Sequence, residues 1–245
     1  MERAIYKEAI QKVFKLSDAL SDCGYEGSAL QAYVARLVFC FIANDTGIFP
    51  QNAFKQYLFQ SNPDASDLSE RLSRLFDVLN TPEGERSKGA PLPDELKLLC
   101  YVNNETFKAK LPVADFNTKT RAVFMDCAYF DWRYVSPTIF GIICQRLTDK
   151  KRRRELGMDY TEEDNILKVI NPLFLDELWE EFHRVKTDPA ALDRFHDKIA
   201  NLKFLDPACG SGNFLIVTYI KLRELELEII KIKVNNMKAM QSRNE

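Results

Sequence analysis

The sequence predicts a mainly α protein in two parts. A helical domain over residues 1–150 is followed, over 151–245, by the first strand and helix of an incomplete Rossmann-like, doubly wound domain. Three observations predict this. Apolar residues recur at helical spacing through most of the chain. One strand-to-helix corner, Asp206-Pro207-Ala208-Cys209-Gly210-Ser211-Gly212-Asn213-Phe214, lies close to the C-terminal end. Residues 215–245, which follow it, are too few to complete such a sheet.

Taken in order, residues 2–20 carry Ile5, Ala9, Ile10, Val13, Phe14, Leu16 and Leu20 at helical spacing, and the pattern stops near Cys23-Gly24. A second helix is expected from Gly27 or Ser28 to Asp45. Its apolar residues, from Leu30 through Tyr33, Leu37 and Phe41 to Ile42, run round most of its circumference, so it should be buried. Thr46-Gly47 ends it, with Pro50 just beyond. Shorter helices are expected over 52–60 and 66–79, an exposed, turn-rich loop over 81–91, and further helices over 118–130, 136–148 and 161–182. Asp94-Glu95-Leu96-Lys97 has the look of a nuclease Glu-x-Lys, but no aspartate on a strand precedes it, and a helix start accounts for it better. Asp188-Pro189 is an N-cap followed by proline at the first helical position of a helix to Asn201. Residues 225–234 alternate like a strand yet continue a helix with no breaker. They are assigned to an extended first helix of the doubly wound domain, with a polar, frayed tail from Asn235.

Apolar residues make up 46% of the chain and charged residues 29%, a globular balance. No apolar run reaches the ~18 residues of a membrane span, and Met1-Glu2-Arg3-Ala4 does not open a signal peptide. Six cysteines without C-x-x-C spacing imply reduced thiols in a cytoplasmic protein. His183 and His196 have no partners at metal-ligand spacing, so zinc is not expected. The net charge is −2 with no basic excess in either half, so a DNA-binding surface, if the protein needs one, should lie largely outside this chain. Lys150-Lys151-Arg152-Arg153-Arg154 could meet phosphates, but a solvated helix end accounts for it better.

The corner carries the chemistry. Lys203-Phe204-Leu205 reads as a short buried strand, and Asn213-Phe214-Leu215-Ile216-Val217 as the start of an apolar helix. Gly210 and Gly212 permit tight backbone turns and a close ligand approach. The helix start adds unpaired N–H donors and the positive end of its dipole. The third glycine of a dinucleotide-binding G-x-G-x-x-G is missing, and so is the Gly-Lys-Ser/Thr of a P-loop. Cys209 has no histidine in the motif to act as its base, so it is read as a small side chain in a tight turn.

These nine letters resemble the first S-adenosylmethionine (SAM) motif of γ-type DNA adenine-N6 methyltransferases. The resemblance implies a class I SAM methyltransferase domain, with Asp206, Ala208, Cys209, Gly210 and Gly212 at the cofactor. Upstream, Gly157-Met158-Asp159-Tyr160-Thr161 is similar to the family's Gly-x-x-Tyr-Thr element. That implies contacts from Tyr160 and Thr161 to the methionine end of SAM. Many relatives place proline after the threonine, where Glu162 stands here. Read without the resemblance, Thr161 and Asp164 form only a capping arrangement.

The likeness extends over nearly the whole chain. Residues 36–49 resemble the helical spacer of single-chain type IIL and IIG restriction–modification enzymes. Residues 130–141 resemble the segment joining that spacer to the methylase. Asn103-Asn104-Glu105-Thr106-Phe107 departs from the relatives' Asn-Gly-Gly-Leu-Phe.

Adenine-N6 transfer also needs an Asn/Asp-Pro-Pro-Tyr/Phe element to hold and stack the flipped base. No such tetrapeptide is present. Asn171-Pro172-Leu173-Phe174 comes nearest but lacks the second proline and precedes the corner. The acidic residue that would hold the SAM ribose is missing as well. The expectation is a truncated piece of a SAM-dependent DNA methyltransferase, inactive alone and with no catalytic residue of its own. Its parent would bind duplex DNA and contribute the remaining methylase and target-recognition domains. The alternative is a non-catalytic helical interaction module, a remnant or a split half of such an enzyme.

Overall fold

The computed structural model describes residues 2–88, 91–102, 105–112, 115–147, 161, 163–210 and 212–241. The chain divides into two compact units, Met1–Glu155 and Leu156–Glu245.

The first unit contains α1 (Glu2–Asp22), α2 (Gly27–Asp45), α3 (Ala53–Phe59), α4 (Leu68–Leu79), α5 (Asp94–Lys97), α6 (Glu105–Lys108), α7 (Thr118–Tyr129) and α8 (Ile139–Leu147). α1 stops where Gly24 takes φ +91° and the Tyr25 N–H reaches back to the Leu20 carbonyl (3.2 Å), a left-handed C-terminal cap. α2 runs through the middle and touches α1, α3, α6 and α8. By length and composition α2 could cross a membrane, but half of it is buried inside the fold, and a core helix meets the same criterion.

The core is aromatic. Trp132 is fully buried and stacks on Phe41, ring centroids 5.6 Å apart, and its indole N–H donates to the Cys127 carbonyl at 2.8 Å. Asp45, at the end of α2, accepts from the Trp132 backbone N–H (2.9 Å) and pairs with Lys55 (2.6 Å). The segment after α7 is thereby tied to α2 and α3. This is the buried aromatic turn that Phe130-Asp131-Trp132 suggests. Residues 81–91, expected to be an exposed loop, are in part held down. A 3₁₀ turn forms over Glu83–Lys88, and the largely buried Arg86 donates to the carbonyls of Thr81 (2.8 Å) and Leu99 (2.6 Å).

The second unit holds α9 (Glu163–Ile170), α10 (Asp176–Val185), α11 (Pro189–Ala200) and the 29-residue α12 (Asn213–Gln241). A π turn, Asn171–Leu175, joins α9 to α10 without a break. Its cause is Pro172, which lacks an N–H and would collide with the carbonyl four residues back. Widening the turn relieves both problems. Asp188 caps α11 by accepting from the N–H groups of Ala190 (3.0 Å) and Ala191 (3.2 Å). Leu178, Phe182, Leu192, Phe195, Leu225 and Ile229 form one small core, and Ile166, Ile170 and Val217 another. His196 is half-buried between α11 and α12. Lys233 can only donate, so it donates to Nδ1 (3.1 Å), leaving Nε2 to donate to Glu226 (3.3 Å).

Two expectations fail here. Lys203–Leu205 is not a buried strand: the segment has no ladder, Phe204 is 39% exposed and Leu205 88%. A strand satisfies its backbone polar groups only beside another, and there is none among the described residues. The tail from Asn235 is helical as far as Gln241 rather than frayed, because α12 continues without a breaker. The basic run 150–154 and Tyr160 lie outside the described residues.

Candidate cofactor corner

Leu202–Asp206 runs without regular structure into a turn at Pro207-Ala208. Phe204 leans on Phe174 of the π turn, centroids 4.9 Å apart. The Asp206 carboxylate accepts from the Ala208 N–H (3.0 Å), so it closes its own turn. The Gly212 N–H donates to the Cys209 carbonyl (2.7 Å), and the Ile216 N–H to the Gly212 carbonyl (2.8 Å), the first bond of α12. The N–H groups ahead of Ile216 in the first turn therefore have no intrahelical acceptor.

Gly210 takes φ +54° and Gly212 φ +81°. A Cβ on either would meet nothing within 4 Å, so the backbone conformation, not crowding, requires glycine. Asp206, Ala208, Cys209, Gly210 and Gly212 thus share one tight turn. Ala208, Cys209 and Gly210 are exposed, while Asp206 and Gly212 are half-buried. Among the described residues, Cys209 makes only a long sulfur contact to the Gly210 carbonyl (3.9 Å).

Thr161 is half-buried two residues ahead of α9, and α9 packs on the first turns of α12 through Ile166, Ile170 and Val217, with Phe214 alongside. No hydrogen bond joins Thr161 to the corner among the described residues. α9 starts at Glu163, so its N-cap position is residue 162, which lies outside the described residues.

One residue of the motif stands out only in three dimensions. Asn213, the first residue of α12, is 5% exposed, and its side-chain carbonyl oxygen has no hydrogen-bond partner among the described residues. An orphaned buried acceptor costs about 1–3 kcal/mol. The sequence signal was a polar side chain heading an apolar run. Asn171 Oδ1, in the π turn, is orphaned in the same way.

Comparisons with known proteins agree with this architecture. The family described as "MmeI, helicase spacer domain" matches residues 28–107, and "MmeI, DNA-methyltransferase domain" matches 182–244. DNA methyltransferase A of Bacillus subtilis (strain 168) is 39% identical over 204 residues, which are 82% of this chain and 23% of that protein. A candidate type II restriction enzyme and methyltransferase of Methanocaldococcus jannaschii is 26% identical over 242 residues, 79% of this chain and 20% of that protein. The solved structure of the type IIL restriction-modification enzyme MmeI in complex with DNA superposes with a TM-score of 0.77 at 46% identity, covering 92% of this chain and 30% of that one.

A helical spacer running into a methyltransferase segment within one polypeptide defines the class, the DNA methyltransferases of restriction–modification systems. Within that class, the chain is similar to the spacer and methyltransferase domains of the type IIL enzyme MmeI. It spans 23% of the Bacillus relative and 30% of the solved MmeI chain.

Proposed function

We propose that this chain is the spacer and cofactor-corner portion of a cytoplasmic, SAM-dependent adenine-N6 DNA methyltransferase that acts on duplex DNA. Residues 1–150 are assigned to the spacer and 151–245 to the start of the methyltransferase domain. The observation that carries the reading is the Gly-rich turn at the head of α12, with its positive-φ glycines and first-turn N–H groups that have no intrahelical acceptor.

The residues present fit the methionine end of SAM. First-turn N–H groups offer donors to a carboxylate, and the orphaned Asn213 Oδ1 offers an acceptor to an ammonium. Asp206 holds the turn shut, Ala208 to Gly212 present main-chain groups, and Tyr160 and Thr161 are assigned to the same end of the ligand. When bound, SAM supplies a methyl group on a sulfonium. No residue here is assigned the transfer. Asn171-Pro172-Leu173-Phe174 lies inside a continuous helix, not in an open loop beside the corner, which supports leaving it out of the base-holding role.

The chain alone is expected to bind SAM weakly or not at all and to methylate nothing. Joined in frame to the C-terminal remainder of the Bacillus relative, it should methylate duplex DNA at adenine N6, read as N6-methyladenine by mass spectrometry. Asp206→Ala should abolish this. Micromolar SAM affinity in calorimetry of the isolated chain would overturn the first expectation. A chimera that labels cytosine would overturn the second.

A further inference from the structure

Arg36 is a cation in the wrong place for an ordinary surface arginine. It sits in the middle of the apolar α2, only 2% exposed, with its guanidinium beside the paired rings of Phe76 (5.1 Å) and Phe107 (5.4 Å), whose centroids are 5.9 Å apart. Nε donates to the Thr106 carbonyl (2.6 Å) and Nη2 to the Ala109 carbonyl (2.5 Å). No carboxylate lies within ion-pair distance among the described residues, and Nη1 has no acceptor there. Burial pulls its pKa below the ordinary arginine value, and the Asp77 carboxylate across the cleft offsets this only in part.

The guanidinium forms part of the wall of a cleft of about 260 Å³ within the first unit, opened between α2, α4 and the segment after α6. Lys108 and Lys110 also line it, against one carboxylate, Asp77, so the lining is net positive in a chain of net charge −2. Ser73 and Asn80 add neutral donors. Donors from several elements converging on one cleft suit an anion with more acceptor oxygens than a single carboxylate has. The bland role, an arginine binding two carbonyls to hold α6 in place, uses Nε and Nη2 and leaves Nη1 and the other cation-bearing wall unexplained.

We propose that the Arg36 cleft binds a phosphate group, carried either by a free phosphate or mononucleotide or by a nucleic-acid backbone. The occupant adds the negative charge that Asp77 alone does not supply to this lining, with Lys110 and Arg36 both meeting it from the cleft wall.

The test uses the whole 245-residue chain. Inorganic phosphate is titrated against chloride at constant ionic strength, followed by calorimetry and by the NMR signals of the arginine Nε–H groups. Saturable binding is expected, with the Arg36 Nε–H signal among those that shift. Lys110→Gln and Ser73→Ala, both at exposed positions that leave the core intact, should each weaken it by about 3- to 10-fold. Arg36→Met should abolish it, and the two rim variants keep the test decisive if that protein fails to fold. A mononucleotide and a short DNA duplex then compete with phosphate, and whichever displaces it identifies the source. Phosphate that binds no better than chloride overturns the proposal, and so does binding that neither rim variant weakens.

Discussion

The two units meet the same physical demand differently. In the first, the large apolar side chains of α1, α2, α4 and α7 close on one another in a single core around Trp132, Phe41, Phe54 and Phe124. In the second, four helices form two small cores, and much of the apolar surface stays outside: Leu173, Leu205, Leu215, Tyr219, Leu227 and Met237 are all exposed. Leu215, Tyr219, Ile230 and Met237 fall along one side of α12, while Val217, Leu225 and Ile229 are buried on another. A spacer helix bundle can complete its core with its own helices. In the second unit no sheet lies among the described residues, and the second apolar side of α12 stays wet.

Four measurements would break or sharpen this contrast. The largest effect is expected for Trp132→Ala, which empties a fully enclosed site and should destabilise the first unit by about 3–5 kcal/mol in chemical denaturation. A loss below about 1 kcal/mol would mean that core is far less closed than its burial implies. Asp45→Ala should follow at about 3 kcal/mol, because it strands Lys55 and the Trp132 N–H together. Asp45→Asn should recover part of that loss, since its side-chain oxygen can still accept from the amide.

In the second unit, Asp188→Ala removes the cap of α11 and should cost about 1 kcal/mol, read as a lower thermal midpoint. The smallest effect is expected at the most exposed apolar residue. Leu205→Ser should change the stability of this chain by no more than about 0.5 kcal/mol, yet lower the activity of the full-length chimera. A large stability loss in the isolated chain would mean that Leu205 is already packed and that the comparison between the units is wrong.

Much of this was legible beforehand. The helical spacing of Ile5 to Leu20, the apolar circumference of α2 and the Asp188-Pro189 start of α11 reappear as helices with nearly the expected limits. Local propensity, period and caps decide these, and all are written in neighbouring residues. Residues 225–234, alternating like a strand, are helical because α12 has no breaker to stop it. The segment 203–205 went the other way. Its letters suit a strand, but a strand is a relation between two segments, and pairing cannot be read from one of them.

The sequence by itself determined where the helices run, which of them is buried, and that the Asp206–Phe214 corner and its glycines belong to a methyltransferase lineage. Those properties follow from short-range backbone preference and from letters at fixed spacing. Only the tertiary structure decided that Arg86 pins a loop that reads as exposed, that Arg36 lies buried beside two paired rings and a cleft, and that Asn213 heads α12 with its carbonyl oxygen unsatisfied among the described residues. Each depends on what distant residues bring to a point in space. Burial and hydrogen-bond satisfaction are properties of that meeting, not of any stretch of chain.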